Sequence, residues 1–128
     1  MPSWSEYKET ARLRGSLAFE LYIVESTPAL APDDMLEILP DHLGYQQQME
    51  EAGKLFLAGP LSDDTGKEMT GGGMIIYRAS SMDEALQITS NDPMHKRGGR
   101  TFTLRRWLVN EGSLTLSVGL SEQKVRLK

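Results

Sequence analysis

The stretch KLFLAGPLSDDTGKEMTGGGMIIYRASSMDEALQITSNDP, residues 54–93, decides the fold. Lys54–Ala58 is a short apolar run closed by Gly59-Pro60, and Met74–Ala79 is a second run rich in β-forming residues; both have strand length, not helix length. Residues 61–73 between them are polar and end in three glycines, which predicts a hairpin loop. Ser81-Met82-Asp83-Glu84 then has capping-box spacing, followed by Met82, Ala85, Leu86 and Thr89 on one helical face. That helix ends at Asn91-Asp92, because the residue before Pro93 is pushed out of the helical region.

Upstream, Asp33-Asp34 opens a helix running to about Ala52, with Gly53 as its cap. Pro40 lies inside it and removes a hydrogen bond, so the expectation is a kink or two helical pieces meeting near Leu39. Ser26–Pro32 reads as a Pro/Ala loop. Leu17–Val24 alternates as a strand does: Leu17, Phe19, Leu21 and Ile23 share one face, and Ala18, Glu20, Tyr22 and Val24 the other. The second face is mixed, as expected of a pocket wall or of a solvated face holding one Tyr. A leading helix, 3–14, has its own Ser3–Glu6 capping box, a stripe of Trp4, Tyr7 and Ala11, and Gly15 as its stop.

Downstream, Thr101–Val109 is a fourth strand and Asn110-Glu111-Gly112 a turn. Leu114–Val118 is read as a fifth strand, at an edge or exchanged between subunits, and the tail SEQKVRLK as polar and loosely held. With no internal repeat or linker, residues 1–128 are read as one domain: helix 3–14, core 17–109, and strand and tail 110–128. Its β-α-β-β-α-β order is the split arrangement of a ferredoxin-like α+β fold, an antiparallel sheet with both helices on one face. The uncovered face would be half apolar, and pairing of two sheets in a homodimer would hide it.

Composition narrows the function classes. The chain has 128 residues, 39% apolar and 25% charged, which suits an ordinary globular domain. The absence of cysteine excludes a disulfide framework, a thiol nucleophile and thiolate metal sites. A net charge of -4 argues against nucleic-acid binding. The basic cluster of Lys96, Arg97, Arg100, Arg105 and Arg106 is read as solvated charge around a turn and strand. No run approaches the roughly 20 apolar residues of a membrane span. Residues 1–15 have no continuous apolar core of a secretory signal, so a cytoplasmic location is expected. Neither histidine has another histidine or a carboxylate four residues away and no G-x-S-x-G elbow is present; neither a metal nor another cofactor is expected. GPLSDDTGK, residues 59–67, has six residues between its glycines instead of the four of a phosphate loop.

Two histidines remain to be weighed. His42 shares a helix face with Ile38, Leu39, Tyr45 and Met49, so it points toward the sheet. It is either a buried structural histidine or an acid–base imidazole, for which a pKa near about 6.5 is well suited. His95 follows Asp92-Pro93-Met94 and is either an exposed loop residue or a site residue. Asp92 ends a helix at the pole that disfavours a carboxylate. That placement calls for a partner such as His42, Arg97 or a free backbone N–H, or for an Asn-Asp-Pro turn capping itself.

From Leu17 to Val109 the chain resembles the YCII-related family. The resemblance rests on Asp41-His42-Leu43, Glu51-Ala52-Gly53-Lys54-Leu55, Ala58-Gly59-Pro60-Leu61, the glycine-rich turn into MIIYRASS, Glu84-Ala85 and Asn91-Asp92-Pro93, in that order. Asp92-Pro93-Met94-His95, Arg106–Gly112 and the leading helix resemble one branch of it. The resemblance implies a dimeric α+β barrel with a pocket between sheet and helices holding a His42–Asp92 pair. Where many members carry a serine, this chain has Gly72, and His95 is the candidate replacement polar group. Related members include a dehydrochlorinase acting on a chlorinated hydroxyquinol, and muconolactone isomerase shares the barrel. The expected function is thus a small-molecule lyase or isomerase in which His42 moves a proton and Asp92 orients it, with Tyr22, His95 and Trp107 as substrate-binding residues. The competing readings are a non-catalytic ligand-binding or regulatory homodimer, and a subunit whose sheet face serves assembly alone.

Overall fold

The computed structural model describes residues 1–128. The chain is organised as two compact units, Glu20–Trp107 and a second made of residues 1–19 with 108–128.

Apart from the end residues Phe19, Leu108 and Val109, the larger unit holds strands β1 (Phe19–Pro28), β2 (Leu55–Ser62), β3 (Met69–Tyr77) and β4 (Arg100–Val109), and helices α2 (Pro32–Glu51), α3 (Met82–Asn91) and α4 (Pro93–Lys96); α1 (Trp4–Leu13) precedes them. The antiparallel sheet runs β2-β3-β1-β4, the ferredoxin-like order expected for β-α-β-β-α-β. Tyr22 pairs with Tyr77 and Val24 with Ile75, so the alternation of β1 and β3 puts these four on one face. There they pack with Ala85 and Ile88 of α3, flanked by Met49 of α2 and Phe102 and Leu104 of β4. Burying each large apolar side chain stabilises by about 1.5–3 kcal/mol.

Local chemistry explains the helices. Ser81 accepts from the Glu84 N–H at 3.1 Å and caps α3. Pro32 occupies the first turn of α2, where its missing N–H costs nothing, and Asp33 and Asp34 face the positive pole. At the other end Gly53 takes φ +73°, while its N–H reaches Glu50 O and that of Lys54 reaches Met49 O: a Schellman close that wants glycine. Pro40 does not split α2 into two pieces, since residues 32–51 form one helix. A single missing N–H leaves the bonds of the adjoining turns intact.

Three boundaries differ from expectation. β1 continues to Pro28, so Ser26 is a strand residue opposite Gly73, not a loop residue. The β2–β3 hairpin runs through Pro60 and through Gly71–Gly73, leaving only residues 63–68 as its turn. Pairing uses backbone groups, so glycine need not end it. Pro60 is tolerated because β2 is an edge strand. Gly71 has φ +83°, and a Cβ there would sit 2.9 Å from Pro28 Cγ, so the close approach of β1 and β3 depends on it. Pro93 starts a helix of its own, α4, after ending α3.

In the smaller unit, α1 carries both capping-box bonds, Ser3 N–H to Glu6 at 3.0 Å and Glu6 N–H to Ser3 at 3.2 Å, and closes on Gly15 at φ +84°. Strands β5 (Leu116–Gly119) and β6 (Lys124–Leu127) form a separate hairpin. The tail is therefore not loose. Val118 pairs with Val125 and Leu116 with Leu127, and cross-strand apolar pairs of this kind hold register. No helix is long and apolar enough to cross a membrane.

Gly99 sets the approach of α2 and α4 to β4. A Cβ there would lie 2.9 Å from Ile38 Cδ1 and Met94 Sδ and 3.2 Å from the Met94 carbonyl oxygen. Gly99→Ala should lower unfolding free energy by about 1–3 kcal/mol in urea titrations; an unchanged midpoint would contradict this packing.

Candidate functional site

Asp92 is the residue between α3 and α4. Its backbone is non-helical (φ -59°, ψ 124°). The carboxylate is fully buried. It accepts the Met94 N–H at 2.9 Å and lies 2.8 and 2.9 Å, by its two oxygens, from His42 Nδ1. The turn-capping role and the histidine partnership foreseen as alternatives thus coexist. An ionised carboxylate can only accept, so Asp92 draws a His42 proton to Nδ1; in the neutral ring Nε2 is then the lone-pair nitrogen. His42 is mostly buried and lines a cavity of about 440 Å³ with Leu39, Leu43, Ser26, Gly72 and Arg100. A second cavity of about 340 Å³ shares Leu39, His42 and Arg100 with it.

His95 makes a second polar pair. Its Nε2 lies 2.8 Å from Ser26 Oγ and its Nδ1 2.8 Å from the Thr89 carbonyl oxygen; the ring tilts against Phe102 with centroids 4.7 Å apart. Burial, more than any neighbour, pushes the His95 pKa below its usual value; His42 and Arg100 add to the shift, while Thr89 and Asp92 oppose it. Arg100 donates to the Ser26 carbonyl at 3.0 Å and to that of Gly71. Burial also raises the pKa of Tyr45 and Tyr77, with the Asp92 charge second in each case. Tyr45 donates to Ile88 O at 2.7 Å. No group of three or more histidines and carboxylates comes together.

Of the residues singled out from sequence, His42 and Asp92 are in contact, and His95 reaches the cavity wall through Ser26. Tyr22 lies in the core and donates to Glu20 at 3.2 Å, four residues along β1 from Ser26. Trp107 alternates with the core residues Phe102 and Leu104 and so occupies the opposite sheet face, outside the cavity lining. Ser26 and Arg100 were not singled out. Period two from Tyr22 and Val24, and from Phe102 and Leu104, puts both on the helix side of the sheet. Gly72 lines the cavity, and a Cβ on it would stand 3.7 Å from the Ser26 carbonyl.

His95 is more easily protonated unfolded than folded. Its contribution to stability is complete above the unfolded pKa of about 6.5 and is lost as pH falls through that value toward the lower folded pKa. Melting temperature should fall more steeply on acidification in wild type than in His95→Phe; parallel curves would contradict a neutral His95.

The YCII-related domain matches residues 19–108. No curated protein matches the chain. Among solved structures, the chain is similar to 5-chloro-2-hydroxyhydroquinone dehydrochlorinase from Burkholderia phenoliruptrix AC1100, in complex with 2,5-dihydroxybenzoquinone. The two are 25% identical with a TM-score of 0.50, over 68% of this chain and 92% of that one. With the family matched over most of its length and in the expected strand order, the chain belongs to the YCII-related domain family.

Proposed function

We propose that the protein is a small-molecule enzyme of the lyase or isomerase type, with His42 as its acid–base residue and Asp92 as the group that orients it. The observation that carries this reading is the buried Asp92 carboxylate, 2.8 Å from His42 Nδ1, with the imidazole edge on a cavity. A base must present a lone pair to a carbon or oxygen acid and then hold the proton it takes. Nε2 offers the lone pair, and the carboxylate behind Nδ1 stabilises the imidazolium that forms. The remainder of the wall is largely apolar (Leu39, Leu43, Pro60, Ile75). The similar dehydrochlorinase, bound to a dihydroxybenzoquinone, supports a compact cyclic substrate.

A ligand-binding homodimer without catalysis would use the same cavity and need no proton movement. A screen of chlorinated hydroquinols and small lactones separates the two. If a compound is turned over, His42→Ala should lower kcat/KM by roughly 10²–10⁴-fold, measured on protein that its melting curve shows to be folded. Asp92→Asn should fall in the same direction, because an amide can leave the imidazole in the wrong tautomer. Equal turnover by wild type and His42→Ala would overturn the assignment; saturable binding with no turnover across the screen would favour the ligand-binding homodimer.

A further inference from the structure

The bonds around Ser26 determine which atoms carry protons. The Thr89 carbonyl oxygen can only accept, so His95 Nδ1, 2.8 Å away, is the protonated nitrogen. Burial keeps the ring from taking a second proton near neutrality. Nε2 is then an acceptor, and its 2.8 Å bond to Ser26 is made with the serine's own proton. The hydroxyl's single donor is committed inside the wall. What Ser26 shows the cavity it lines is lone pairs.

Arg100 stands beside it. Its guanidinium donates to the carbonyl oxygens of Ser26 and Gly71, both neutral. No Asp or Glu is among the cavity-lining residues, and the Asp92 charge that Arg100 feels lies behind His42, so the guanidinium has no carboxylate in contact with it. A half-buried guanidinium attracts an anion more strongly than one in bulk water. An acceptor-only oxygen and a cation therefore lie side by side, next to apolar Leu39, Leu43, Pro60 and Ile75.

We propose that this cavity selects a compact anion that carries a hydroxyl group on the carbon next to its anionic group: the anion pairs with Arg100 and the hydroxyl donates its proton to Ser26 Oγ. A 2-hydroxycarboxylate with an apolar body has this pattern. His95 is a positioning residue, since it acts by holding the serine proton. A ligand with a carbonyl in place of the hydroxyl would set oxygen against oxygen, and a buried acceptor left unpaired is costly. The proposal rests on reading this cavity as the ligand site, and not on proton transfer at His42.

Isothermal titration at pH 7 tests it with three probes. Mandelate has both groups, phenylglyoxylate replaces the hydroxyl by a ketone at nearly the same size, and 1-phenylethane-1,2-diol lacks the charge. Wild type should bind the better mandelate enantiomer about tenfold more tightly than either alternative. Ser26→Ala should abolish the preference over the ketone and keep the preference over the diol, and Arg100→Met should do the reverse. His95→Phe frees the serine proton to turn into the cavity, so phenylglyoxylate should gain on mandelate; simple loss of space would not produce that. Melting curves establish which variants fold, and the wild-type comparison decides the matter alone if none does. Equal binding of mandelate and phenylglyoxylate by wild type, survival of the preference in Ser26→Ala, or no binding of any probe at millimolar concentration would overturn the proposal. Because binding is read without turnover, failure here leaves the His42 kinetics to stand or fall separately.

Discussion

A buried carboxylate needs donors, and the placement of Asp92 among its donors organises this protein. An isolated charge in such a position costs several kcal/mol, and removal of one partner from a buried ion pair is destabilising by about 3–5 kcal/mol. Asp92 meets the requirement with a backbone N–H from the helix it caps and an imidazole from α2. That same contact joins the crossover helix to the junction of α3 and α4. One set of bonds satisfies the buried charge and fixes the orientation of the His42 imidazole.

The charge reaches further than its contacts. It raises the pKa of Tyr45 and Tyr77, which burial has already raised, so both phenols stay protonated. Burial tends to lower the Arg100 pKa and Asp92 counters it. The cavity thus has a negative centre held in its wall behind His42 and a positive one exposed on its surface at Arg100. Strand alternation accounts for the rest: every second residue of β1 and β4 turns toward the helices, which brings Ser26 and Arg100 to the cavity and carries Trp107 to the other face.

Much of this was legible in the chain. Element order, the α1 capping box and the Ser81 cap of α3 followed from short-range pattern, because spacing in sequence is spacing on a helix or strand. The reciprocal half of the α3 box did not form, since Glu84 accepts from Ser80 instead. His42 could be placed on an inward face for the same reason, and Asp92 marked as needing a partner by its position between a helix end and Pro93. What was hidden depended on partners distant in sequence. β1 runs past Ser26 because β3 supplies a partner at Gly73, and nothing local to Ser26-Thr27-Pro28 announces it. Gly71–Gly73 looked like loop because glycine weakens strands, yet backbone pairing and the contact of Gly71 with Pro28 outweigh that tendency. The tail became a strand through Val118–Val125 and Leu116–Leu127. Arg100 seemed one of several surface cations until two carbonyls fixed it.

Those carbonyls have a consequence for how such a site changes over evolutionary time. Arg100 is held by the main chain of Ser26 and Gly71, and His95 by the main chain of Thr89. Main-chain oxygens are present whatever side chain is encoded, so substitution at Ser26 or Thr89 does not by itself remove the oxygen that holds the guanidinium or the imidazole, whereas Gly71 is fixed by its own backbone and by Pro28. In the proposed ligand site, preference can then be retuned by single substitutions at Ser26 or Gly72 while the main-chain bonds to Arg100 and His95 are inherited.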